Sequence, residues 1–168
     1  MKVTDTQYNQ ILKMLDSAII STSDEHGTLK ETAPGVYSTK GYASGVHSLD
    51  YYSLNNGDMK TFFSNLVNQK EENIVTMHRI KYSKGAKTNP HYDKSTFTLV
   101  IMMDTKNLKG GEFYINGKFI PFSEKQEYIT YNGGKDMHEV REITDGYREV
   151  MVVWWYDEND IKPNTNLI

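Results

Sequence analysis

Tyr147-Arg148-Glu149-Val150-Met151-Val152-Val153-Trp154-Trp155-Tyr156 is the stretch that decides the fold. It is crowded with β-branched and aromatic residues, and turn chemistry at Thr144-Asp145-Gly146 bounds it, so it reads as a strand. Successive side chains of a strand point to opposite faces, which sets Arg148, Val150, Val152 and Trp154 on one side. An arginine leading such an apolar row needs an anionic partner. Working back from it, residues 74–82, 95–103, 111–116, 118–122, 127–132 and 138–143 carry the same strand signature. Asn116-Gly117 is a two-residue hairpin signal, and Thr144-Asp145-Gly146 reads as another tight reversal, which would put Arg148 one hairpin beyond His138 on a neighbouring strand. Many short antiparallel strands without βαβ alternation predict a mostly β fold with flanking helices, a sandwich or barrel such as a double-stranded jelly roll.

The part before Asn73 has a different character. Thr4-Asp5-Thr6-Gln7 reads as a capping box, and Val3 and Tyr8 are placed to form a hydrophobic staple around it. Tyr8, Ile11, Leu12, Leu15 and Ile19 recur at helical spacing, so a first helix is expected up to about Ala18. Residues 21–45 are rich in Ser, Thr and Gly and read as loops with one or two short strands. A second helix starts near Asp58, where Met59, Phe62, Phe63, Leu66 and Val67 form an apolar stripe that reads as core packing. Residues 1–168 make a single domain, with residues 1–70 as a helical support region and residues 74–156 as the β core.

Composition removes several classes of function. A net charge of −3 and a pI near 5.9 leave no broad basic footprint for duplex nucleic acid. There is no cysteine, so disulfides, thiolate metal sites and cysteine nucleophiles all drop out. Any metal must then be held by His, Asp and Glu. The polar start Met1-Lys2-Val3-Thr4 lacks a secretory h-region, and no apolar run reaches the roughly 18 residues of a membrane span, so a soluble cytoplasmic protein is expected.

Against that background His91-Tyr92-Asp93 stands out. Alone, His-x-Asp is a weak signal. Its two side chains point the same way on extended backbone, however, where a strand gives way to a loop. His138 opens a later strand after Asn132-Gly133-Gly134, which reads as a flexible stretch, and Arg148 follows. Two imidazoles and a carboxylate on one side of a metal leave the other side open, an arrangement that suits Fe(II) with a cosubstrate and dioxygen. A guanidinium nearby can grip a distal carboxylate in a bidentate fork. Arg141 is the rival anchor, but on an extended strand it faces away from His138, so Arg148 is preferred. His78 shares parity with Tyr82 and reads as a core histidine or a substrate contact. Trp154 and Trp155 fall on opposite faces of the last strand, one for core packing and one for a helix-covered or interface position.

Taken in order, Tyr82-Ser83-Lys84-Gly85, Pro90-His91-Tyr92-Asp93, Gly110-Gly111-Glu112-Phe113, His138-Glu139-Val140 and Gly146-Tyr147-Arg148 resemble the 2-oxoglutarate and Fe(II)-dependent dioxygenases. The likeness is greatest to the prolyl and lysyl hydroxylase branch, and His91 to Thr98 looks like the lysyl hydroxylase version of the metal strand. It covers residues 74–155 and implies a double-stranded β-helix of jelly-roll, cupin-like type. It also implies that His91, Asp93 and His138 bind Fe(II), and that Arg148 takes the far carboxylate of 2-oxoglutarate, assisted by the hydroxyl of Tyr82 or Thr98. Dioxygen would be consumed, succinate and carbon dioxide released and a C–H bond hydroxylated, with ascorbate as a candidate reductant.

One departure is Thr88, which stands where family members often carry a second Tyr for the cosubstrate. The triad carboxylate is present, unlike in the related halogenases, so hydroxylation is the implied chemistry. The substrate would be a peptidyl proline or lysine, or a small molecule. A nucleobase-oxidising relative is disfavoured by the charge balance, and a non-catalytic cupin-like metal or ligand module is the competing class. Specificity is expected from loops at residues 21–50 and 82–90.

Overall fold

The computed structural model describes residues 1–21, 30–33, 36–38, 43–44 and 47–160, and of those between 20 and 47 the backbone alone. Helix α1 spans Asp5–Ser17 and α2 spans Gly57–Val67. The strands in chain order are β1 Ile20–Ser21, β2 Lys30–Ala33, β3 Val36–Ser38, β4 Ala43–Ser44, β5 His47–Tyr52, β6 Ile74–Ser83 and β7 Lys87–His91. They continue with β8 Phe97–Gly110, β9 Phe113–Ile115, β10 Lys118–Ile120, β11 Tyr128–Tyr131, β12 His138–Val140 and β13 Ile143–Trp155. Two antiparallel sheets result, one in the order β1-β5-β6-β13-β8-β11 and the other β10-β9-β12-β7-β4. This is the double-stranded β-helix. The support region is not only helical, because β1 and β5 extend the larger sheet and β4 the smaller.

The capping box is formed: Gln7 N donates to Thr4 Oγ1, and Thr4 N donates to Gln7 Oε1 at 2.8 Å. Val3 and Tyr8 are both buried beside it. The apolar stripe stops short of its sequence limits, since Ile19 is 76% exposed, one residue beyond the cap at Ala18. Central strands β8 and β13 are buried on both faces, so one strand feeds two cores. Met151, Val153 and Trp155 pack with Ile11, Met59 and Phe63 under the helices. Val150 and Val152 pack with Ile80, Val100 and Met102 between the sheets. Each fully buried side chain of this size contributes about 1.5–3 kcal/mol. Trp155 Nε1 donates to Ser64 Oγ at 3.2 Å, which fixes α2 on the larger sheet. No helix among the described residues is long and apolar enough to cross a membrane.

The expected reversal at Thr144-Asp145-Gly146 is absent. Strand β13 runs unbroken from Ile143 and absorbs the irregularity as register shifts against β8. Arg148 therefore lies in the larger sheet and His138 in the smaller, facing each other across the barrel rather than on neighbouring strands. Gly146 has φ +71°, and a Cβ there would run into the backbone carbonyl oxygens of Lys106 and Asn107. The glycine marks a close passage of two strands. Gly146→Ala is expected to cost on the order of 2–3 kcal/mol, lowering Tm by roughly 4–12 °C in thermal unfolding.

Candidate metal centre

His91 closes β7, and its register partner on β12 is His138. Directly opposed residues on antiparallel strands bring side chains together, and here the two ring centroids lie 4.3 Å apart. Asp93 follows in the loop. Its amide donates to Gly133 O at 2.8 Å, and Gly134 N donates to Ser95 O, so two loops are stapled together. The Asn132-Gly133-Gly134 stretch is thus pinned rather than flexible. A Cβ on Gly133 would strike Ser95 Oγ and sit 3.1 Å from Asp93 Cβ, so only glycine permits this approach.

The three side chains are buried, and one ligand atom from each lies within 4.8 Å of the others. His91 Nδ1 bonds Asn89 O at 2.7 Å and His138 Nδ1 bonds Asp136 O at 2.8 Å. A backbone carbonyl can only accept, so each Nδ1 carries the proton and each Nε2 lone pair is left to ligate. Those Nε2 atoms point at Asp93, 3.5 Å from Oδ1 for His91 and 2.9 Å from Oδ2 for His138. The donor set is two neutral imidazoles and a carboxylate with their outer partners in place. It fits a divalent ion of the Fe, Mn or Zn kind.

Burial lowers the His91 pKa below the ordinary imidazole value, partly offset by Asp93. Burial also works against charged His138, but the hydrogen bond and charge of Asp93 outweigh it and the pKa rises. Before metal binds, Asp93 therefore favours the protonated imidazole of His138, and the neutral ring is the form that ligates. A raised folded pKa contributes stability that is full below the ordinary value of 6.5 and is lost as pH rises through the raised one. A metal must displace that proton. Below the His138 pKa, affinity for Mn(II) or Fe(II) is expected to fall about tenfold per pH unit, with proton release on binding in weakly buffered titrations.

Across the barrel Arg148 is 1% exposed. Its Nη1 donates to Gly111 O at 3.1 Å, and its Cζ stands 5.3 Å from the Phe122 ring centroid and 5.9 Å from that of Tyr82. Nε has no hydrogen-bond partner, and among the described residues no carboxylate pairs with it. Burial brings its pKa down to about 10, held up in part by Tyr82 and Tyr131, so it stays cationic at neutral pH. Tyr82, its register partner, is pushed up to about 12 by burial against the pull of Arg148, and remains a phenol. The triad, Arg148 and Tyr82 all line one cavity of about 100 Å³, whose other walls include Ile80, Val100 and Val152.

Thr98 does not join Arg148. It pairs in register with Trp154 and Tyr131, while Arg148 pairs with Thr105, and the Thr98 hydroxyl bonds Ser95 Oγ at 2.7 Å. Seven residues of extended strand separate the two positions. Tyr131, which the sequence reading missed, lines the cavity with its ring centroid 4.6 Å from that of His138, and its phenol is close enough to Arg148 to feel its charge. Its strand carries aromatic residues at Tyr128 and Tyr131, and only the register separates them. Thr88 lines the cavity too, but its Oγ1 accepts from Val140 N at 2.8 Å and ties β7 to β12. Arg141 is turned away, bonded to Glu139 and stacked over Tyr114. His78 faces the cavity, as its parity required. The expected specificity loop at residues 21–50 lies largely outside the described residues.

No family model matches the chain, and no curated protein matches it in sequence. Solved structures do. A 2OG-Fe(II) oxygenase family oxidoreductase from Burkholderia pseudomallei superposes with a TM-score of 0.58 at 14% identity, covering 90% of this chain and 79% of that one. A viral collagen prolyl hydroxylase from Paramecium bursaria Chlorella virus-1, solved with 2OG, gives 0.56 at 14% identity and covers 90% of each chain. A predicted oxalate decarboxylase from Thermotoga maritima gives 0.51 at 14% identity, covering 83% of this chain and 99% of that one. At that identity the likeness establishes the double-stranded β-helix fold, which these proteins share across different chemistries.

Proposed function

We propose that this chain is an Fe(II)- and 2-oxoglutarate-dependent dioxygenase of the prolyl and lysyl hydroxylase kind. It would hydroxylate a C–H bond of a peptidyl proline or lysine or of a small molecule. The observation that carries this reading is a pairing within one cavity: three convergent metal-ligand atoms and a buried arginine that has no acidic partner among the described residues. A buried, unpaired charge is strongly unfavourable, so it is kept where a ligand supplies the missing anion.

Bound ferrous iron and 2-oxoglutarate would supply the oxidising chemistry, splitting dioxygen to give succinate, carbon dioxide and a hydroxylated product. His91, Asp93 and His138 hold the ion, with the two Nδ1–H groups fixing both rings. Arg148 offers Nε and its second Nη to the far carboxylate of the cosubstrate, and the Tyr82 and Tyr131 phenols flank that end. Ile80, Val100, Val150 and Val152 keep water away from the reacting centre.

The test is succinate formation from 2-oxoglutarate by the iron-loaded protein, with and without free proline, free lysine and peptides containing them. Succinate that requires both iron and dioxygen supports the reading. Metal binding with no 2-oxoglutarate consumption would identify a binding module instead.

A further inference from the structure

Two buried side-chain donors lack a hydrogen-bond partner among the described residues, Arg148 Nε and Trp154 Nε1, and both residues line the same cavity. They occupy the same face of β13, six residues or roughly 20 Å of extended chain apart. Native interiors leave few such groups unmatched, and an unmatched donor beside a cavity marks where a ligand or water completes the bond. The proposed cosubstrate accounts for the first. Nothing accounts for the second.

Its surroundings place it on the metal side. Trp154 pairs in register with Thr98, so the two side chains share a face on adjacent strands. Thr98 Oγ1 and Asp93 Cβ both lie 3.1 Å from the same point beside Gly133, which puts the metal carboxylate next to that pair. The indole meets the His78 ring edge-on, with centroids 5.6 Å apart and planes at 87°, and the Tyr51 ring packs on His78 with centroids 5.3 Å apart. Leu49 completes an apolar and aromatic wall. The slot thus has flat walls and one unmatched donor.

We infer that Trp154 Nε1–H donates to an acceptor oxygen of the substrate, a carbonyl or a carboxylate next to the carbon that is oxidised, at the end of the cavity opposite Arg148. The inference rests on the oxygenase reading for which end the cosubstrate occupies. A substrate offering only hydrocarbon there would leave the donor stranded and bind less well.

The chain has two tryptophans, so isotope labelling gives two indole N–H resonances. Trp155 is bonded to Ser64 and serves as the internal control, and Trp155→Phe assigns the pair. The full chain loaded with Zn(II), with and without 2-oxoglutarate, is titrated with N-methylacetamide and, separately, with acetate. The expected result is a saturable downfield movement of the Trp154 resonance while Trp155 stays fixed. A response to the amide points to a peptide carbonyl, and a response to acetate that persists with 2-oxoglutarate bound points to a free carboxylate. A Trp154 resonance unmoved by either probe overturns the inference. Failure of 2-oxoglutarate to bind the Zn(II) protein is read separately by calorimetry and counts against the oxygenase reading.

Discussion

Asp93→Ala is expected to lose hydroxylation completely and to weaken Fe(II) binding by more than the 10–100-fold that removing an outer partner of a ligand brings. Asp93 holds two roles in this site. It is the sole carboxylate of the ligand set, and it is the hydrogen-bond partner that draws His138 Nε2 inward at 2.9 Å. Without it two imidazoles remain, too few to fix an ion with open positions beside it. The backbone bond from residue 93 to Gly133 O survives the substitution, so the loop should keep its path and the variant should fold. A second readout separates the site from a general collapse. With Asp93 gone, burial is opposed only by the smaller pull of Asp136 on His138 and the pKa should drop, removing the stability that the metal-free wild type loses as pH rises. Metal affinity surviving in Asp93→Ala would show that the ion, if any, is held elsewhere.

Arg148→Met should separate binding from stability. Loss of one partner of a buried charge pair costs about 2–5 kcal/mol, which is a roughly 30-fold to several-thousandfold rise in Kd for 2-oxoglutarate. Fe(II) affinity should change little, because Arg148 stands across the barrel from the triad. The metal-free variant should melt no lower than the wild type. Among the described residues the wild-type guanidinium makes one hydrogen bond, to Gly111, and a methionine of similar length fills the space between Phe122 and Tyr82 without a buried charge. A site kept at the expense of stability is the mark of function. Unchanged 2-oxoglutarate dependence, or a steep fall in Tm together with metal loss, would make Arg148 a structural residue instead.

How much of this was legible in the sequence follows from which signals are local. The strand at 147–156 announces itself because its side chains alternate between two apolar cores, and the same alternation exposes Arg148 as a misfit. Strand parity alone set Arg148 apart from Arg141, and the structure gives one buried and one exposed arginine, with Arg141 just past the end of β12 at Val140. Helix α1 was readable to its first residue, since a capping box is a four-residue event. The reversal at Gly146 was misread because glycine serves both a turn and a close strand passage, and only the neighbouring Lys106 and Asn107 carbonyls distinguish them. Thr98 was misplaced and Tyr131 missed for a related reason. Which hydroxyl reaches Arg148 depends on the register of β11, β8 and β13 together, and no local pattern encodes three-strand register. The staple between Asp93 and Gly133 joins residues forty apart through backbone groups, which leave no trace in residue type.

The most direct test of the central claim is an anaerobic calorimetric titration of 2-oxoglutarate into the protein with and without Fe(II). The expected result is a single site per chain, tight only when iron is present and weakened in both Asp93→Ala and Arg148→Met. Binding that is indifferent to iron, or unaffected by both substitutions, would contradict a metal and an arginine acting on one ligand.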